Sequence, residues 1–400
     1  MPEDSPVRAP AARGAARLLV DATVGVTDLV EAVHDGIARP VRLPGGRAKG
    51  RTRGITGLVY RGIRRAALLA GGGVDGALAR LGPALHGPPS PLREALVAAL
   101  NGVLGDHLAA TENPLAITPR LRHAGRPLRL HPDALAAALP AANGRVLVMV
   151  HGVCMSDVQW LRGGHDHGAA LARDRGYTVI HPHYNSGLHI SVNGRTLARL
   201  LERAVGAWPV PVREVAIVGH SMGGLVARAA CRTAEEEGHA WKGRLTKLVC
   251  LGTPHHGAPL ERGGNWVDAI LEAVPYAAPF ARLGRIRSAG ISDLRYGNVA
   301  REDWAGRDRF RLGRDGRTPV PLPAGVQCFA AAATVAAAPG SLRDQMVGDG
   351  LVPLDSALGR HPDPERTLGF AEDRQYVARG MHHMDLLSHP AVYARLRDWL

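Results

Sequence analysis

Residues 216–230 read AIVGHSMGGLVARAA. An apolar, β-branched run over Glu214–Val218 enters Gly219-His220-Ser221-Met222-Gly223, and an apolar helical pattern leaves it over Met222–Glu236. The central five residues form G-x-S-x-G. A serine on a sharp strand-to-helix turn has a strained backbone and needs glycine at the flanking positions, where side chains would strike neighbouring chain. Such a turn lifts the hydroxyl above the sheet edge. It also places the hydroxyl at a helix N-terminus, whose partial positive charge favours a developing anion. Ser221 is therefore the candidate nucleophile. A phosphate loop does not fit, because no G-K-[ST] follows and the spacing is not G-x-G-x-x-G.

The same alternation extends to both sides. Arg145–Val150 (RVLVMV) predicts a buried parallel strand. A helix near Gly168–Arg175, a strand at Tyr177–Ile180 and a helix over Ser191–Ala207 follow. Leu245–Leu251 and Val326–Ala332 predict further strands, Gln375–Ala378 a last one, and Ala391–Leu400 a closing helix. Strands alternating with helices predict an α/β fold, a mostly parallel sheet flanked by helices.

Before residue 140 the composition differs. Of 17 aromatic residues only Tyr60 lies there. Leu18, Leu19, Ala22, Val26, Leu29, Val30, Val33 and Ile37 form a helical stripe, and a second helix is expected near Leu92–Leu104. The expected organisation is a helical N-terminal accessory region over 1–140 and a catalytic domain over 141–400. Within the latter, about 258–323 is too long for an ordinary connection and reads as a lid-like or cap insertion, or as a surface elaboration.

Composition excludes several classes. With 46% hydrophobic and 21% charged residues, the 400-residue chain can bury a large core, which excludes global disorder. No run of 18 apolar residues offers a spanning helix, and Asp21 and Asp28 interrupt any signal-like stretch. The expected location is cytoplasmic. The net charge of +13 comes from 46 Arg and 3 Lys, and aromatics to stack on bases make up only 4%, so a nucleic-acid partner is not expected. Arg39–Arg65 carries nine basic residues and no acidic one. It reads first as a solvated linker, with peripheral contact to an anionic membrane surface as the alternative. Cys154, Cys231, Cys250 and Cys328 sit in or beside apolar runs and read as buried free thiols.

A serine nucleophile needs a base, an orienting carboxylate and an oxyanion hole. Asp349, between Gly348 and Gly350 soon after a predicted strand, is the candidate acid, with Asp344 and Asp355 as competitors. His382 and His383 are adjacent candidates for the base. The Met222 N–H, next to the nucleophile, is one expected oxyanion donor.

The segments VLVMVHGV, VGHSMGGLVAR, LGTPHHGAP, GDGLVP and MHHMDLL resemble, in this order, α/β-hydrolases of the lipase/esterase type. The likeness is to bacterial lipases and the GPI-inositol-deacylase-like group, and it spans about 145–400. It implies Val153, in the H-G-x turn after RVLVMV, as the second oxyanion donor. It also implies Asp349 as the acid and, through an H-x-D match, His383 as the base. Some related lipases hold calcium near the position of Asp385. Gln327 and Cys328 stand where a companion carboxylate would be, so no calcium is expected here. The histidine pairs at 165/167, 181/183 and 255/256 lack H-E-x-x-H spacing, so no metal or other cofactor is expected. The reading is a serine hydrolase of an ester or lipid substrate. Acyl transfer by the same triad and noncatalytic lipid binding on the same fold stand as alternatives.

Overall fold

The computed structural model describes residues 90–257, 288–307, 315–337 and 348–400. The stripe over residues 18–37, the basic stretch Arg39–Arg65, most of the insertion and Asp344 lie outside the described residues.

An eight-stranded sheet organises the domain. Its strands are β1 (Arg120–His123), β2 (Arg126–Pro127), β3 (Arg145–Val150), β4 (Thr178–His183), β5 (Glu214–His220), β6 (Leu245–Leu251), β7 (Gln327–Thr334) and β8 (Gln375–Arg379). The order is β2-β1-β4-β3-β5-β6-β7-β8. Strands β4 to β8 run parallel with β3, and β1 is antiparallel to β4 and β2. The central strands are apolar on both faces because helices cover both. Leu147, Val148, Met149, Ala216, Ile217, Val218, Leu248 and Val249 are fully buried.

Among the described residues the helices are α1 (Pro91–Ala110), α2 (Pro132–Ala138), α3 (His167–Arg175), α4 (Ile190–Gly206), α5 (Met222–Glu236), α6 (Ala289–Asp293), α7 (Leu354–Ala357) and α8 (Pro390–Trp399). Helices α4 and α5 pack closely, since a Cβ on Gly194 would come within 2.4 Å of the Ala229 Cβ. The mostly parallel sheet flanked by helices is the architecture the sequence predicts.

The expected boundary at residue 140 is corrected. Strand β1 pairs with β4, so the sheet starts upstream of residue 141. Ala99, Leu104, Leu108 and Leu121 join the same core as the later strands. Asn101 on α1 donates to the Leu115 carbonyl at 2.8 Å and accepts from the Ile117 N–H at 2.9 Å, which fixes the chain leading into β1. Arg122 in β1 pairs with Glu94 at 3.0 Å and Asp157 at 2.9 Å. Residues 90–140 are thus a layer of the domain.

The described end of the insertion is likewise integral. Ser288 donates to the Gly102 carbonyl at 2.7 Å, and Ile291 and Leu294 are buried. Among the described residues no helix is long and apolar enough to cross a membrane. All four cysteines are free and buried.

Candidate active site

Parallel strands deliver their following loops to one edge of the sheet, where open α/β folds form their sites. Here that edge carries His151–Cys154 after β3, Ser221 after β5, Gly252–Gly257 after β6, Asp349 after β7 and His383 after β8.

Ser221 has φ 54° and ψ −124°, a conformation rarely open to a residue with a Cβ. Its backbone N–H donates to the Leu251 carbonyl at 2.8 Å, anchoring the turn to the neighbouring strand. Serine is a favoured helix cap, yet this hydroxyl makes no capping bond to α5. The side chain is therefore left for another partner. The glycines are required by space. A Cβ on Gly219 would lie 2.5 Å from the Gly224 nitrogen, and one on Gly223 would lie 2.2 Å from the Val150 carbonyl oxygen.

The loop after β3 lies directly against the serine, because a Cβ on Gly152 would be 3.2 Å from the Ser221 Cβ. Tyr184 steadies this loop: its hydroxyl donates to the His151 carbonyl at 2.6 Å, and its ring stacks on that of His151 at 4.1 Å. Ser186 accepts from the Cys154 N–H at 3.0 Å. Helix α1 supports the loop from behind, where Gly102 leaves room for Cys154. Val153 and Met222 are both buried. Among the described residues no hydrogen bond engages the N–H of either one. Cys154 is no rival nucleophile, since burial pushes its thiol up to about 12.

Asp349 is 2% exposed. One carboxylate oxygen accepts from the N–H groups of Leu351 at 3.0 Å and Val352 at 2.8 Å. The other lies 2.6 Å from His383 Nδ1. The His383 N–H also donates to the Asp349 carbonyl at 3.1 Å. The imidazole packs on the turn after β6, since a Cβ on Gly252 would be 3.0 Å from His383 Cε1. Gly252 immediately follows Leu251, the acceptor of the Ser221 N–H. The loop of His383 also meets the residue before the serine, with the His220 and His383 rings 4.8 Å apart.

The competitors point elsewhere. His382 is exposed, and its backbone N–H donates to Asp385 at 2.8 Å, so Asp385 tethers the loop. Asp355 lies 3.8 Å from Arg360 at the surface. The structure thus brings Asp349 and His383 together, with Ser221, Gly152 and Met222 across the same sheet edge. Sequence reading missed Tyr184 and Trp160. Tyr184 follows β4 in an ordinary loop, and Trp160 meets His220 edge-on at 6.3 Å. Neither sits in a motif that would announce it.

Residues 141–310 match the family described as the PGAP1-like alpha/beta domain. No curated protein matches the chain. A solved lipase of Bacillus licheniformis, in its mature form, is 19% identical with a TM-score of 0.42, covering 70% of this chain and 98% of its own. A thermophilic esterase from Thermogutta terrifontis is 14% identical (TM-score 0.36; 64% of this chain, 90% of its own). An esterase of Pyrococcus furiosus is 13% identical (TM-score 0.36; 65% and 81%). Strand order and the serine turn are those of an α/β-hydrolase fold, and residues 141–310 are similar to the PGAP1-like alpha/beta domain.

Proposed function

We propose that the protein is a serine hydrolase of carboxylic esters, acting on lipid or other acyl esters through Ser221, His383 and Asp349. The observation that supports this most is the positive-φ serine on the same sheet edge as a buried histidine whose Nδ1 is held by a carboxylate at 2.6 Å.

In this reading Asp349 fixes the proton of His383 on Nδ1, so Nε2 is free to take the Ser221 proton as the hydroxyl attacks the ester carbonyl. The N–H groups of Val153 and Met222 receive the oxyanion. Protonated His383 then gives its proton to the leaving alcohol, and water attacks the acyl-enzyme with His383 as base. Asp349 also stabilises the transient imidazolium. Every step uses groups of the chain itself.

A fluorophosphonate probe should label the protein once, at the peptide containing Ser221, and Ser221→Ala should abolish labelling and ester cleavage together. Labelling of a folded Ser221→Ala protein at the same level would overturn the reading.

A further inference from the structure

Arg228 lies on α5 two turns beyond Ser221 and is 4% exposed. Its Nη1 is 3.3 Å from His255 Nδ1, its Nη2 donates to the Val320 carbonyl, and its Nε has no partner. Among the described residues no carboxylate pairs with it. Burial lowers the guanidinium to about 10, so it remains a cation at neutral pH. His255 accepts from Arg228 on Nδ1 and must carry its own proton on Nε2, which is buried without an acceptor.

Both residues line a cavity of about 130 Å³ whose rim includes the exposed Thr367 and Gly369. Two more guanidiniums line it. Arg317 donates to the His255 carbonyl at 2.7 Å, lies 2.9 Å from His256 Nδ1 and pairs with Asp315 at 3.1 Å. Arg366 pairs with Asp315 at 3.1 Å and Asp363 at 3.3 Å. Asp315 and Asp363, behind the lining, therefore answer Arg317 and Arg366, and Glu365 is an exposed group at the rim. The charge of Arg228 has no answer. A buried cation and two buried N–H donors without acceptors in one cavity call for an anion with several acceptor oxygens.

We propose that this cavity binds an oxyanion of the phosphate class, held by Arg228 and His255 with Arg317 beside them. At 1.5 Å per residue Arg228 stands about 10 Å along α5 from Ser221, so the site is adjacent to the candidate active site and separate from it. The ligand is free phosphate or the phosphodiester of a lipid headgroup, which share this chemistry.

The test titrates inorganic phosphate into the full chain at fixed ionic strength, by calorimetry and by thermal melting, against sodium chloride as control. Phosphate should bind with one site per chain and, near saturation, raise the melting temperature by roughly 3–6 °C over chloride. Ser221→Ala should keep this response, so hydrolysis plays no part in the readout. Arg228→Gln and Arg317→Gln should lose it. The exposed Glu365→Gln, which leaves the interior untouched, should tighten phosphate about two-fold by removing a nearby like charge. Equal responses to phosphate and chloride, or an affinity unchanged by Glu365→Gln and by whichever arginine variants fold, would overturn the proposal. Glycerophosphoglycerol binding more tightly than inorganic phosphate assigns the site to a lipid headgroup; weaker binding assigns it to free phosphate.

Discussion

Asp349 holds His383 twice, once at the ring, where Oδ2 lies 2.6 Å from Nδ1, and once at the backbone, where its carbonyl accepts the His383 N–H at 3.1 Å. The loops after β7 and β8 are joined by this pair, so the acid sets both the tautomer of the imidazole and its position.

Asp349→Asn tests the first of these roles. The asparagine oxygen would take over the N–H groups of Leu351 and Val352, which need an acceptor. Its amide NH₂ would then face His383 Nδ1 and force the proton onto Nε2, leaving no base toward Ser221. Turnover of an activated short-chain ester should fall by about 10⁴ with little change in the fold. A folded variant within ten-fold of the parent would remove Asp349 from the mechanism.

The adjacent histidines separate cleanly. His383→Ala should lose as much activity as Ser221→Ala, because nucleophile and base act as one unit. His382 is exposed and contributes its backbone N–H to Asp385, a bond that alanine retains. His382→Ala should therefore stay within a few-fold of the parent. Steady-state kinetics on the two variants decide between them, and a reversed order would move the base to His382.

Gly223→Ala probes the turn itself. The new Cβ would sit 2.2 Å from the Val150 carbonyl oxygen, and that oxygen belongs to a central strand packed on both faces. Neither partner can yield without moving β3 or α5, so a loss on the order of 3 kcal/mol or more is expected. Urea unfolding would show it as a lower midpoint at similar slope; an unshifted midpoint would mean that the turn is looser than described.

Acid should destabilise the fold in a defined window. Burial lowers His151 and His167 to about 4 and His183 to about 3, against about 6.5 for free imidazole. The folded state keeps these rings neutral while the unfolded chain protonates. Their contribution is therefore whole above pH 6.5 and is lost as pH falls from there toward 4 and 3. Unfolding between pH 6 and 4.5 should be accompanied by the uptake of about two to three protons on these rings, measurable by calorimetry in buffers of different ionisation enthalpy. Proton-neutral unfolding there would contradict their burial.

Much of this was legible in the sequence, for physical reasons. The strand and helix around Ser221 announce themselves because a buried parallel strand must be apolar and the turn must be glycine-flanked. Residues 245–251 and 222–236 fall where their patterns place them. Strand β1, between the short edge strand β2 and β4, did not show, because RLRH carries two arginines and a histidine. Arg122 becomes a core residue only through Glu94 and Asp157, 28 and 35 residues away. For the two adjacent histidines, the H-x-D likeness selected His383, whereas residue pattern alone left both open. Only the turn before residue 383 settles which ring points inward.

Two truncations follow from the corrected boundary. Removing residues 1–140 would delete α1 and β1, strip the support behind the loop of Val153 and Cys154, and leave the nearly buried carboxylate of Asp157 without Arg122. A buried charge deprived of its partner costs about 3–5 kcal/mol, and the lost contacts of Leu104, Leu108 and Leu121 add to that. This chain should aggregate or fail to fold. Removing residues 1–89 spares every group assigned to the site and every strand of the sheet. It should fold, by circular dichroism and a cooperative melt, and cleave a small soluble ester at a rate close to that of the full chain. A well-folded, active chain starting at residue 141 would show that the layer formed by residues 90–140 is dispensable and restore the boundary at 140.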